Sequence, residues 1–132
     1  EETVMTGDIV IGNKLAYITH SPQRGDIIFF HFQDQVYCKR VIGIAGDKIA
    51  FIDGYVYINE EKLDESSYLD LDIETNCTST FIVPENCVFV IGDNRENSYD
   101  SRFFDEPYIP ESQIISKILI DFNAVFRWVF DL

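Results

Sequence analysis

Basic residues are scarce in this sequence. The 132-residue chain carries 10 Lys and Arg against 23 Asp and Glu, a formal net charge of -13. Phosphate recognition needs a basic face, and no Lys/Arg run exists here, which argues against nucleic acid as a partner. An anionic membrane surface is disfavoured on the same ground. Long apolar runs are missing too: none approaches the roughly 18 consecutive apolar residues of a membrane-spanning helix, and the opening residues carry no basic-then-apolar leader pattern. A water-soluble stretch is the expectation. Good helix formers are few, with four Ala and six Leu against eighteen Ile, ten Val and nineteen aromatics, a balance that predicts a mainly β fold. Three cysteines, an odd count, neither demand nor exclude a disulfide. Cys77 and Cys87 flank a short apolar segment, and a bridge between them is one reading in an oxidising compartment. No Cys/His spacing suits zinc, so His20 and His31 read as surface or strand histidines.

What the chain does have is apolar material: hydrophobic residues make up 46% of it, too much for a disordered acidic chain and enough for one compact domain. Short apolar runs alternate with turn residues throughout. DIVIG, KLAYIT and IIFFHF predict three strands up to Phe32, and 35–44 predicts another, ended by GIAGD. Ile49 to Ile52 and Tyr55 to Ile58 flank Asp53-Gly54, whose tolerance of positive φ marks a hairpin. Residues 60–74 hold seven acidic residues and one lysine and read as a solvated surface excursion within the domain, not a linker. Strand patterns resume at 81–83, 88–91 and 114–120. The aromatic tail 122–132 either closes the core or presents Phe126, Trp128 and Phe130 to a lipid interface. Many short strands with regular turns predict a folded-over antiparallel sheet or open barrel with little helix.

Two stretches resist a purely structural explanation. In YCKRVIG (37–43) adjacent cations interrupt an apolar strand and, by strand alternation, point to opposite faces, so one of them is expected to face inward. A lysine pressed against apolar surface loses hydration of its ammonium form and becomes available as a base, while a snorkelling lysine with a wet head is the plainer alternative. GDNRENSYDSR (92–102) concentrates acids, arginines, asparagines and serines behind the apolar strand VFVI, the composition of a fixed polar loop in which carboxylates hold guanidinium groups. Asp100 and Arg102 are a candidate pair. A structural network explains such a loop as well as a catalytic one.

Taken together and in this order, the segments resemble the type I signal peptidases, membrane-bound serine proteases with a Ser-Lys dyad. The resemblance runs over nearly the whole chain: MTGDIVIGNKLAY (5–17), RGDIIFF (24–30), KRVIGIAGD (39–47), the hairpin followed by YINEEKLDE (57–65), and GDNRENSYDSR (92–102). Glu96 stands where the family commonly has Asp, and Phe104-Asp105 replaces a frequent Trp-Gly. The resemblance implies a single catalytic domain over 1–132, with Lys39 as general base and Ser98 as the hydroxyl that orients it. Arg40 with Asp93, and Asp100 with Arg102, correspond to supporting charge pairs. Tyr37, Cys38 and Val4 correspond to walls of the pocket for the small residue before the cut, and substrate would add as an extended strand along the Lys39 strand.

The family's nucleophile lies in a Ser-Met motif directly before the stretch that EETVMTGD resembles, with Glu2 at a position commonly Pro. The expectation is therefore a fragment whose nucleophile precedes Glu1, whose full form carries an upstream membrane anchor, and which is inactive alone. Ser21, Ser98 and Ser101 fit turn or loop roles better than that of a substitute nucleophile. The implied partners are the signal peptides of exported preproteins and, through the anchor, the extracytoplasmic face of the cell membrane. No cofactor or metal is implied. Two rival readings are a catalytically inactive peptide-binding relative of the same fold and a self-cleaving repressor relative. Lys39 with Ser98 argues against the first, and the absence of a DNA-binding segment argues against the second.

Overall fold

The structure, a computed structural model, describes residues 2–5 and 10–13 by their backbone and 21–118 in full. KLAYIT, His20, the Val4 side chain and the tail 122–132 lie outside the described residues.

The fold is built almost wholly of antiparallel strands: β1 (Glu2–Met5), β2 (Val10–Asn13), β3 (Ile27–Phe32), β4 (Gln35–Gly43), β5 (Lys48–Ile52), β6 (Tyr55–Ile58), β7 (Glu61–Lys62), β8 (Phe81–Ile82), β9 (Cys87–Ile91), β10 (Ile109–Pro110) and β11 (Ile114–Ile118). A 3-10 turn, Glu111–Gln113, leads into β11. Seven strands form one sheet in the order β1-β2-β11-β3-β4-β9-β10, and four form a second in the order β7-β6-β5-β8. The two sheets do not close into a barrel. Among the described residues no helix is long and apolar enough to cross a membrane.

The hairpin expected at Asp53-Gly54 forms, with φ of 53° and 85° at the two turn positions, and pairs Ile52 with Tyr55. Two further two-residue hairpins have positive φ at both positions, Gln33-Asp34 and Asn59-Glu60. Their sequences advertise the turn poorly because neither contains glycine.

Among the described residues β4 is the longest strand. Its residues 35–40 pair with β3, and from Arg40 onward it pairs with β9, with a bulge between Val41 and Gly43. One of its faces contributes Val41 to a core with Ile28, Phe30, Val88, Val90, Phe104 and Ile109. The other contributes Ile42 to a second core, with Phe89 and Ile91 from β9 and Ile49, Val56 and Ile58 from the smaller sheet. Because both faces are covered at this point, Lys39 and Arg40 are both buried. Alternation alone required only one of them to face inward.

All three cysteines are free thiols, which corrects the bridge considered for Cys77 and Cys87. The two belong to different neighbourhoods. Cys87 lies on β9 against the second core, whereas Cys77 follows Asn76, whose carbonyl accepts a hydrogen bond from Arg102. Burial, with the charge of Glu111 adding to it, pushes the Cys87 thiol pKa up.

Candidate active site

Lys39 reaches the site because β4 carries it, 4% exposed, onto the face it shares with Tyr37 and Val41. Its Nζ donates a hydrogen bond of 3.1 Å to Ser98 Oγ, across 59 residues of sequence. Ser98 is itself buried, in the loop that follows β9. Carbon is excluded from the junction between them: a Cβ placed on Gly92 would collide with Ser98 Oγ and stand 3.2 Å from Lys39 Nζ. Gly92 is therefore required for lack of room, not for backbone conformation.

The polar loop is held from inside by carboxylates. Asp100 is fully buried and accepts from the backbone N–H of Gly92 at 3.1 Å and of Arg102 at 3.1 Å. The same two oxygens take Arg102 Nε and Nη2 at 2.9 Å each. This satisfies the lone pairs of a carboxylate out of water, the condition under which a buried charge is tolerable. Ser101 Oγ accepts the Val90 N–H at 2.9 Å, and Ser101 N–H returns a bond to Val90 O at 3.1 Å, pinning the loop's far end to β9. Ser21, by contrast, is exposed.

Arg40 occupies the opposite face of β4. Its Nε and Nη2 grip Asp93 bidentately at 2.9 and 2.8 Å, its Nη1 donates to Gly25 O at 2.9 Å, and the Tyr68 ring stacks on the guanidinium at 3.9 Å. Both charge pairs expected from the sequence are thus formed, Arg40 with Asp93 and Asp100 with Arg102. The Tyr37 ring lies among Phe30, Phe32, Tyr99 and Phe104, on the Lys39 face. Cys38 is buried on the other face, paired in register with Phe29. Among the described residues no group of three or more His, Cys, Asp or Glu side chains converges as a metal site would require.

Four participants were not singled out from the sequence. Gly92 had its position in the GDNR segment as a signal, but not its packing. Arg95 is buried and donates through Nε to Gly92 O at 2.8 Å and through Nη1 to Thr75 Oγ1 at 2.8 Å. Glu65 and Tyr68 come from the acidic segment 60–74. Glu65 chelates Arg95 at 3.0 and 2.7 Å, and the Tyr68 hydroxyl donates to Glu65 Oε2 at 2.7 Å. Burial, followed by the charge of Glu65 and its hydrogen bond, pushes the Tyr68 phenol well up, so it stays a donor. Most of the segment is exposed, as its composition implies, but these two side chains turn inward.

A buried amine on a hydroxyl, with the surrounding charges neutralised in pairs, has the parts of a lysine general base. Known proteins resemble this chain over most of its length. The family model described as signal peptidase, peptidase S26, matches residues 1–122. The chain is 37% identical to signal peptidase I of Bacillus caldolyticus, over 88% of this chain and 70% of that protein. It is 34% identical to signal peptidase I of Leptolyngbya laminosa, over 95% of this chain and 64% of that protein. The fold aligns with the crystal structure of a signal peptidase I from Enterococcus faecalis V583 at a TM-score of 0.61 and 29% identity, covering 74% of this chain and 96% of that one. The chain belongs to the signal peptidase family, peptidase S26, serine endopeptidases that act on the signal peptides of preproteins.

Proposed function

We propose that residues 1–132 are the catalytic domain of a signal peptidase I that removes signal peptides from exported preproteins, with Lys39 as the general base of a Ser-Lys dyad. The observation that carries this reading is the 3.1 Å bond between the buried Lys39 Nζ and Ser98 Oγ. Desolvation disfavours an ammonium ion, which is the state a lysine base must leave. The nucleophile is the serine that the family resemblance puts directly ahead of EETVMTGD. Lys39 takes the proton of that hydroxyl as its oxygen attacks the scissile carbonyl carbon. The leaving amine collects the proton, and water then hydrolyses the acyl-enzyme with Lys39 again as base. Ser98 orients the amine throughout.

β9 joins β4 only from Arg40 onward, so an extended substrate would add alongside the stretch ahead of it. Tyr37 through its ring, Cys38 through its backbone and Val4 on β1 form the proposed walls of the pocket for a small side chain. The membrane-anchored, extracytoplasmic setting is part of the same proposal. Its test is leader-peptide cleavage by the full-length protein: Lys39→Ala should lower the rate by at least about a thousandfold, within the range of general-base losses. Wild-type cleavage in that variant would remove Lys39 from the mechanism.

A further inference from the structure

We propose that Glu65 is a positioning residue for the Lys39–Ser98 pair, acting from the acidic segment 60–74 through Arg95 and Gly92. The inference rests on the reading of Lys39 as the base. The motif YINEEKLDE ends on this glutamate, and the catalytic mechanism above leaves it without a task.

The contacts run in one line. Glu65 holds Arg95 by two bonds, 3.0 and 2.7 Å, in a pair whose arginine side chain is fully enclosed and whose glutamate side chain is 11% exposed. With its guanidinium fixed from that side and by Thr75, Arg95 can donate Nε–H to Gly92 O in only one orientation. Gly92 in turn is packed so closely on Ser98 Oγ and Lys39 Nζ that its placement sets where the hydroxyl meets the amine. The Arg95 backbone carbonyl also accepts Arg102 Nη2 at 3.0 Å, which ties this line to the Asp100 carboxylate beneath the loop.

Tyr68 orients the glutamate itself. Its hydroxyl donates to the Glu65 oxygen that faces Arg95 Nη2, while its ring covers the guanidinium of Arg40, the residue next to Lys39 on β4. One segment thus presses on both neighbours of the reacting amine, Arg40 along the strand and Gly92 across from it. A purely structural ion pair would account for Glu65 holding Arg95. It would not predict that the loss falls on the turnover step.

The experiment measures kcat and KM for leader-peptide cleavage by the full-length protein bearing Glu65→Ala, Glu65→Gln or Tyr68→Phe, each corrected for the folded fraction by circular dichroism at the assay temperature. For Glu65→Ala the expected result is a fall in kcat of about tenfold to a hundredfold with KM unchanged, the size expected when reacting groups lose alignment. Glu65→Gln, which keeps one acceptor for Arg95 and for Tyr68, should recover part of that loss. A wild-type kcat per folded molecule, or a rise in KM alone, overturns the inference. If Glu65→Ala does not fold, Tyr68→Phe decides: about a threefold fall in kcat supports the line of contacts, consistent with loss of one hydrogen bond, and no change overturns it. Lys39→Ala in the same assay separates the two ideas. An inactive Lys39 variant beside a fully active Glu65→Ala sinks only this inference, whereas an active Lys39 variant sinks the base assignment on which it stands.

Discussion

Lys39 and Arg40 are neighbouring basic residues on one strand and both are buried, yet the fold treats them differently. Arg40 is locked: a bidentate carboxylate, a backbone carbonyl and an aromatic face are arranged around its guanidinium. Lys39 is met at its tip by the hydroxyl of Ser98, with Gly92 leaving no carbon in between. The difference follows from chemistry. A guanidinium never titrates in the working range and is best used as a fixed strut, whereas an amine proposed to gain and lose a proton is served by a neighbour able to donate or accept. Sheet alternation is what allows the two environments to stand side by side, because consecutive residues look into different cores.

The strongest attempt to break this contrast removes the strut. Asp93→Ala leaves Arg40 buried against a missing partner and should cost about 3–5 kcal/mol, read as a large drop in Tm. Lys39→Met, which exchanges a buried amine for an apolar side chain of similar length, should leave Tm unchanged or raise it while abolishing cleavage. Equal losses of stability in the two variants would erase the distinction.

Next in size is Gly92→Ala. The added methyl must push Ser98 away from Lys39, so the expected outcome is roughly a hundredfold loss of rate with an overpacking cost of about 1–3 kcal/mol. A crystal structure of that variant with the Lys39–Ser98 distance unchanged would contradict it.

A milder version of the locked pair lies at Arg24 and Asp47, where Arg24 is partly open to solvent. Burial opposes ionisation of Asp47, but Arg24, the Ile44 N–H and the Asn59 amide together hold its carboxyl below the usual range. A depressed carboxyl contributes stability above its unfolded pKa and loses it as pH falls through the folded one. Asp47→Asn should therefore cost about 1 kcal/mol near neutrality and flatten the acid limb of a Tm-against-pH curve below about pH 4. An unchanged acid limb would argue that the pair contributes nothing. The smallest effect is expected at the Asp53-Gly54 hairpin: Gly54→Ala forces a side chain into φ of 85° and against the side chain of Glu74. It should cost about 1 kcal/mol with no loss of rate per folded molecule.

Much of this was legible without coordinates. Asp53-Gly54 announced its hairpin because the two residue types that tolerate positive φ stood together between alternating strands. Gln33-Asp34 and Asn59-Glu60 adopt the same turn without that signature, and tertiary pairing of β3 with β4 and of β6 with β7 imposes it on them. The partner of Asp100 was evident at two residues' separation. Glu65 was hidden for the opposite reason, since an acid among seven acids within a solvated stretch gives no local sign that one of them will turn inward to an arginine 30 residues later.

The sequence by itself determined the mainly β character, through its Ile, Val and aromatic content, and marked the short segments proposed to carry chemistry, because residue types and their order are local facts. Only the tertiary structure decided that Lys39 and Arg40 are both buried, that Gly92 is a spacer, and that Glu65 and Tyr68 belong beside the site. Burial and packing depend on what other strands bring to the far side of a residue, and no window of sequence contains that.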